Sequence, residues 1–245
     1  MPKETGFDEL QDRLLYYLSH GHDAVENIQT LLKRLCSGDQ TVVQDLLDNL
    51  GLLGPTLGKI ERTSLEIYRK STTDSVTGLK TRKYLDEFVR KLEAMPDSPQ
   101  CAYLMADIDH FGVYNKAYDH AQGDSALYVV SQTLDSTLQN LFPDHAVLVA
   151  KYGGEELGAL VEGYYGGMEE LRSIADGTRV AVMNANIPEH RGIKKPNDGR
   201  FDHVTVTIGY GIQEEAQPIS LLMARVSEAL VNAKDRDERN SVVPI

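Results

Sequence analysis

The chain has 245 residues, 41% hydrophobic and 25% charged, with only 9 prolines. That composition excludes collagen-like, low-complexity and largely disordered chains, and the length suits a large domain with a smaller companion at ~100–200 residues each. With 25 Lys+Arg against 37 Asp+Glu, the formal net charge of -12 repels polyanions on average, so neither nucleic acid nor an anionic membrane is an expected partner.

A small polyphosphate ligand stays compatible with this charge if a metal ion or a local group of N–H donors and cations overrides the average field. The two cysteines, Cys36 and Cys101, show no Cys-x-x-Cys spacing and read as reduced core residues. No apolar run approaches the ~18 residues that span a bilayer. A soluble, cytoplasmic protein is expected.

From Phe7 to Ile67 the pattern is helical. Phe7, Leu10, Leu14 and Leu18 form one stripe; Val25, Ile28, Leu31, Leu32 and Leu35 form a second, ended by Ser37-Gly38; Val42, Val43, Leu46, Leu47 and Leu50 form a third. Gly54-Pro55 reads as a break, after which Leu57, Ile60, Ser64 and Ile67 step by three and four. Residues 1–73 are thus an all-helical module with a connecting helix, read either as a plain bundle or as a regulatory or dimerisation module. From Asp74 the texture becomes mixed α/β. A helix is predicted at Lys83–Met95 and a buried strand at Cys101–Ile108. Next comes a helix from Gly112 to about Leu141, broken or bent near Asp119–Asp124, then a hairpin of Ala146–Lys151 and Leu157–Val161 about Gly153-Gly154. A helix at Met168–Met183, a strand at Val204–Ile212 and a helix from Ile219 to about Lys234 complete the set. The Pro- and Gly-containing stretch Asn184–His203 reads as a long exposed loop, as an insertion rather than a lid.

Two constellations carry chemistry. Asp107 and Asp109 flank Ile108 where an apolar strand meets solvent; such carboxylates are costly unless they hold a cation or accept N–H bonds, and Asp109 is also a candidate helix cap. Lys151-Tyr152-Gly153-Gly154-Glu155-Glu156-Leu157 combines a tight turn, close backbone access and two acids facing opposite ways. Brought beside Asp107, the hairpin would complete a two-carboxylate magnesium site able to clamp a triphosphate.

Six blocks in order, Asp74-Ser75-Val76-Thr77-Gly78-Leu79-Lys80-Thr81-Arg82, Asp107-Ile108-Asp109-His110-Phe111, Asn115 with His120 and Gly123-Asp124, Gly153-Gly154-Glu155-Glu156-Leu157, Val204–Gly209, and Ala233-Lys234 with Arg239-Asn240, together resemble the GGDEF-domain diguanylate cyclases over about residues 74–243. The resemblance implies a palm-like α/β (α+β) domain at 74–245, a mixed central sheet ringed by helices. It implies a magnesium-dependent nucleotidyltransferase, with Mn2+ as a substitute ion, that condenses two GTP into cyclic di-GMP and two pyrophosphates across a homodimer. On the matching positions, Asp107, Glu155 and the Ile108 carbonyl would bind metal, and Glu156 would help deprotonate the 3′-hydroxyl. Asn115 and Asp124 would read guanine, backbone near His110 and Phe111 would meet phosphate, and His120, Lys234 and Arg239 would complete substrate binding. A regulatory partner is expected at the N-terminal helices.

Departures from the family pattern are specific. Gly112 stands where a phosphate-facing Lys is usual, with Lys116 one turn later; Lys116 itself replaces an acid and Asp119 a Gly. Lys151 replaces Arg, Leu157 replaces Phe, Val226-Ser227 replace Ala-Asp, and Asp237-Glu238 replace Gly-Gly before Arg239. Asp144-His145-Ala146-Val147 occupies the place of an Arg-x-x-Asp product-inhibition site, so inhibition through that surface is not expected. Two alternatives follow: a degenerate domain that binds GTP or a partner without turnover, or a cyclase making a different dinucleotide.

Overall fold

The computed structural model describes residues 5–36, 43–188 and 204–245. They fall into two compact units, Met1–Ser71 and Thr72–Ile245. In the first, α1 (Thr5–Cys36) and α2 (Val43–Thr72) are long amphipathic helices. Thr56 and Ile60 of α2 lie 3.6 and 3.7 Å from where a Cβ on Gly21 would sit. Leu15, Leu18, Val25 and Leu32 on α1, and Leu50, Leu57, Leu65 and Tyr68 on α2, remain exposed.

The break expected at Gly54-Pro55 is absent, because α2 runs through Pro55. Proline costs a helix one hydrogen bond and crowds the carbonyl four residues earlier. Here Gly51, Gly54 and Pro55 all face solvent, so water can reach the carbonyl left without a donor. The Ser37-Gly38 stop and residues 189–203 of the expected loop lie outside the described residues.

The second unit is a six-stranded mixed sheet in the order β1-β3-β4-β2-β5-β6. The strands are β1 (Lys80–Thr81), β2 (Cys101–Ile108), β3 (Ala146–Lys151), β4 (Glu156–Glu162), β5 (Val206–Ile212) and β6 (Val242–Pro244). β2 pairs antiparallel with β4 and β5, and the edge strands β1 and β6 pair parallel. Around the sheet lie α3 (Arg82–Glu93), α4 (Phe111–Ala117), α5 (His120–Leu141), α6 (Met168–Met183) and α7 (Ile219–Asp235).

Alternation along β2 explains the two layers, since successive strand residues face opposite ways. Ala102, Leu104, Ala106 and Ile108 pack with Leu127, Val130, Leu134 and Leu138 of α5 and with Leu171, Ala175 and Val182 of α6. Cys101, Tyr103 and Met105 pack on the other face with Leu85, Val89 and Leu92 of α3 and Leu222, Val226 and Leu230 of α7. Covered on both faces, β2 reads as a continuous apolar run until it emerges at Asp107. Of the two readings near Asp119, the helix is broken: α4 ends at Ala117 and Asp119 caps α5, its carboxylate accepting from the Gln122 N–H. β1 and β6 carry no sequence signal because two or three residues cannot establish a period.

Candidate active site

β2 delivers Asp107 near its C-terminal end, opposite Glu156 of β4 and Thr207 of β5. Its parity with Tyr103 and Met105 points it toward the α3 and α7 layer. There the Lys234 ammonium, from the last turn of α7, contacts Asp107 Oδ1. Apart from that ammonium, Oδ1 has no hydrogen-bonding partner among the described residues. Burial pushes the Asp107 carboxyl above its ordinary range, and Lys234 pulls it partly back. Glu155 is also pushed up, first by burial and then by the neighbouring Asp107 charge. Two half-buried carboxylates, both raised by burial and one of them also by the other's charge, form a site short of positive charge.

The turn before β4 sets these acids. The Tyr152 and Gly153 N–H groups both donate to the Glu156 carbonyl, at 2.8 and 3.2 Å, while Ile108 N–H donates to the Glu155 carbonyl at 3.2 Å and ties the turn to β2. A Cβ on Gly153 would overlap the Glu156 carboxylate, with Cδ at 3.1 Å, whereas one on Gly154 meets nothing within 4 Å. A methyl on Gly153 would therefore have to displace the free end of the Glu156 side chain, while Gly154 opens onto free space. Glu155 acts toward Asp107 while Glu156 folds back over Gly153, as consecutive residues entering a strand must diverge.

A second group lies across α4 and α5. Asn115 is half-buried, and its Oδ1 has no hydrogen-bonding partner among the described residues. The amide rests against Gly123, where a Cβ would fall on Oδ1 and only 2.9 Å from Cγ. Asp124, next in the chain, is exposed and lines a cleft of about 480 Å³ with Ser75, Val76, Ser125, Tyr128 and Pro188. An amide and a carboxylate side by side can present donors and acceptors to a heterocycle edge. Phe111 is buried in the core, so it offers a ligand only its backbone, and His120 stands exposed at the start of α5. Gly112 and Lys116 are exposed on α4.

The expected cap at Asp109 is not formed. His110, in the left-handed region at φ 55, precedes α4 without a side-chain cap. Asp109 instead accepts from Thr205 Oγ1 at 2.8 Å, Thr207 Oγ1 at 2.7 Å and the Asn240 N–H at 2.9 Å. Three donors satisfy a buried carboxylate better than one frayed helix start would. Arg239 pairs with Asp237 at 3.0 Å and Arg236 with Glu238 at 3.0 Å, so the acids that replace the usual glycines do engage the neighbouring arginines. Asp74 accepts from Thr77 N–H and Oγ1, both at 2.8 Å, and faces Lys151 at 3.6 Å; Arg82 lies 4.2 Å over the Tyr152 ring. Both of these hold the entrance turn to the hairpin base.

Sequence reasoning missed the Lys234–Asp107 pair, the Gly123 seat for Asn115 and the Asp109 tie. Only the last had a legible trace, two threonines alternating on the strand Thr205-Val206-Thr207.

Residues 71–240 match the family model described as "Diguanylate cyclase, GGDEF domain". The chain is 23% identical over 227 residues to diguanylate cyclase VdcA of Vibrio cholerae, covering 91% of this chain and 62% of that protein. It is 28% identical over 172 residues to diguanylate cyclase DgcM of Escherichia coli K12, covering 69% and 37%. The chain thus spans less than two thirds of either relative. Among solved structures, the coiled coil and GGDEF domain of DgcB from Caulobacter crescentus in complex with c-di-GMP aligns at TM-score 0.70 and 22% identity, over 82% of this chain and 99% of that one. Diguanylate cyclase SiaD of Pseudomonas aeruginosa, in complex with its activator SiaC, aligns at 0.59 and 19% identity, over 99% and 88%. At these identities the structures speak for the fold, and the family match covers more than half the chain: this protein belongs to the GGDEF family.

Proposed function

We propose that the chain is a diguanylate cyclase that condenses two GTP into cyclic di-GMP. The observation that carries this reading is the convergence of Asp107 and Glu155 at the C-terminal end of β2 and the turn before β4, both raised by burial, with an ammonium already seated on Asp107. That geometry fits a divalent cation, for which Lys234 is a stand-in. Among the described residues no three His, Cys, Asp or Glu side chains cluster. The protein would therefore lend Mg2+ or Mn2+ two carboxylates and the Ile108 carbonyl, leaving coordination places for phosphate and water. When bound, the ion supplies Lewis acidity at the phosphoryl oxygens.

The chain's own residues do the rest. Asn115 and Asp124 grip guanine, the carboxylate accepting from N1–H and N2–H2, which adenine cannot match. Lys234 moves from Asp107 to the phosphates, with Arg239 beside it and backbone at His110 and Phe111. In each of two half-reactions a 3′-hydroxyl oxygen bonds to the α-phosphorus of the other GTP, the bond to pyrophosphate breaks, and the hydroxyl proton leaves toward Glu156 or water. One chain holds one half-site, so the reaction needs a second copy. The exposed apolar residues of α1 and α2 suit residues 1–73 to pairing or to a regulatory partner, as SiaD is crystallised with an activator.

The test is product identification from purified protein given GTP, ATP and Mg2+ at concentrations that favour dimers. Cyclic di-GMP is expected; a mixed or linear dinucleotide would reassign the product. Glu155→Gln and Asp107→Asn should each reduce turnover by at least ~100-fold with the fold intact, as loss of a metal ligand does. The runner-up reading, GTP binding without turnover, is favoured by Gly112 and by the Arg239–Asp237 pair. Calorimetric GTP binding with no product would establish it.

A further inference from the structure

Asp109 lies two residues beyond Asp107, yet its side chain turns to β5 and to the segment that follows α7. It is 7% exposed, and a carboxylate so placed is tolerated only when its oxygens are satisfied. Oδ1 accepts from Thr207 Oγ1, while Oδ2 accepts from Thr205 Oγ1 and from the backbone N–H of Asn240. The Asp109 N–H in turn donates to the Thr205 carbonyl at 2.9 Å. One turn is thereby locked to β5 and to the segment between α7 and β6.

That segment has little structure of its own. It passes through the left-handed region at Asp237 (φ 59) and Asn240 (φ 49), conformations that non-glycine residues adopt at a cost. The Asn240 side chain is held as well: its Oδ1 accepts from Arg179 Nη1 at 2.7 Å, and Arg179 is braced by Asp176 at 2.8 Å. Arg239 is the residue immediately before Asn240, and Lys234 closes the helix that leads in. Asp109 therefore sits between the metal-ligand end of β2 and the loop that carries a phosphate cation.

From this geometry we infer that Asp109 is a positioning residue, which sets the reach of Arg239 toward the nucleotide phosphates by fastening Asn240 to the Asp107–His110 turn. The inference rests on the cyclase reading above. Hydrogen bonds to Asp109 hold the loop against the pull of Asp237, so weakening them lets Arg239 retreat. Nucleotide capture would suffer while the chemical step, made by the metal site and Glu156, is largely kept.

Steady-state kinetics with GTP and Mg2+ on Asp109→Asn, Thr207→Val, Arg239→Ala and the double variant Asp109→Asn/Arg239→Ala test this. Asp109→Asn should raise KM for GTP about tenfold, the value of one hydrogen bond to a charged group, with kcat within about threefold. Thr207→Val should move KM the same way by about threefold. The double variant should be no worse than Arg239→Ala alone, because both changes remove one contact. Multiplying effects, or a fall in kcat at unchanged KM, would show that Asp109 does not act through Arg239. If Asp109→Asn does not fold, a wild-type KM in Thr207→Val overturns the inference by itself. A wild-type protein that neither binds nor converts GTP overturns the cyclase reading and this inference together, whereas an active wild type with indifferent variants overturns the inference alone.

Discussion

Gly123→Ala separates the needs of the helix from those of the site. In a helix interior alanine is favoured over glycine by about 0.8–1 kcal/mol, so at Gly123, the fourth residue of α5, the exchange would ordinarily be neutral to stabilising. Here the new methyl would overlap Asn115 Oδ1 and stand 2.9 Å from Cγ. The obstructing atoms are the free end of a side chain with two rotatable bonds, and Asn115 can swing away cheaply. Stability should therefore stay within about 1 kcal/mol of wild type, a shift of ~2–4 °C for a domain of this size. Guanine binding should not be spared. A buried partner left without its hydrogen bond costs about 1–3 kcal/mol, which converts to roughly 5–150-fold. A thermal melt paired with KM for GTP should show an almost unchanged midpoint and a KM raised at least fivefold. A wild-type KM in Gly123→Ala would refute the reasoning, since Asn115 would then not need its seat against Gly123.

Three further outcomes follow from the structure. The Asp74 carboxyl is opposed by burial but held below its usual range by the Thr77 N–H and hydroxyl and by Lys151. The stability it contributes is present above its unfolded pKa of ~3.9 and lost as pH falls through the lower folded value. Asp74→Asn should thus cost about 1 kcal/mol at pH 7, and the gap should shrink in denaturant titrations as pH falls below ~3.9; a gap that does not shrink there would contradict this. Tyr103 Oη is buried without a hydrogen-bonding partner among the described residues, so Tyr103→Phe should be neutral or stabilising by up to ~1 kcal/mol, and a clear loss in melting temperature would reveal a partner. His145, in the stretch standing where Arg-x-x-Asp is usual, packs against Phe142 and Tyr164; calorimetry should find no tight stoichiometric cyclic di-GMP site on that surface.

Much of this protein was decided locally. The apolar run of β2, the interruption near Asp119 and the turn at Gly153-Gly154 depend on neighbours a few residues away, and each is legible from the local sequence. The same holds for the charge. Of the 37 acids, 26 follow residue 73, and among them are the carboxylates that a small metal-bound nucleotide would use. Proline misled for an equally local reason, since its cost depends on whether the orphaned carbonyl is buried or wet, which no pattern states. What only the tertiary structure decided are contacts made across long stretches of chain. Lys234 reaches Asp107, and Asn240 reaches Asp109, only because α7 packs beside the central strand and β6 adds in parallel to β5. Sequence can propose which residues carry charge and hydrogen bonds; which of them meet is set by the burial of two apolar faces around one sheet, an energy summed over the whole domain.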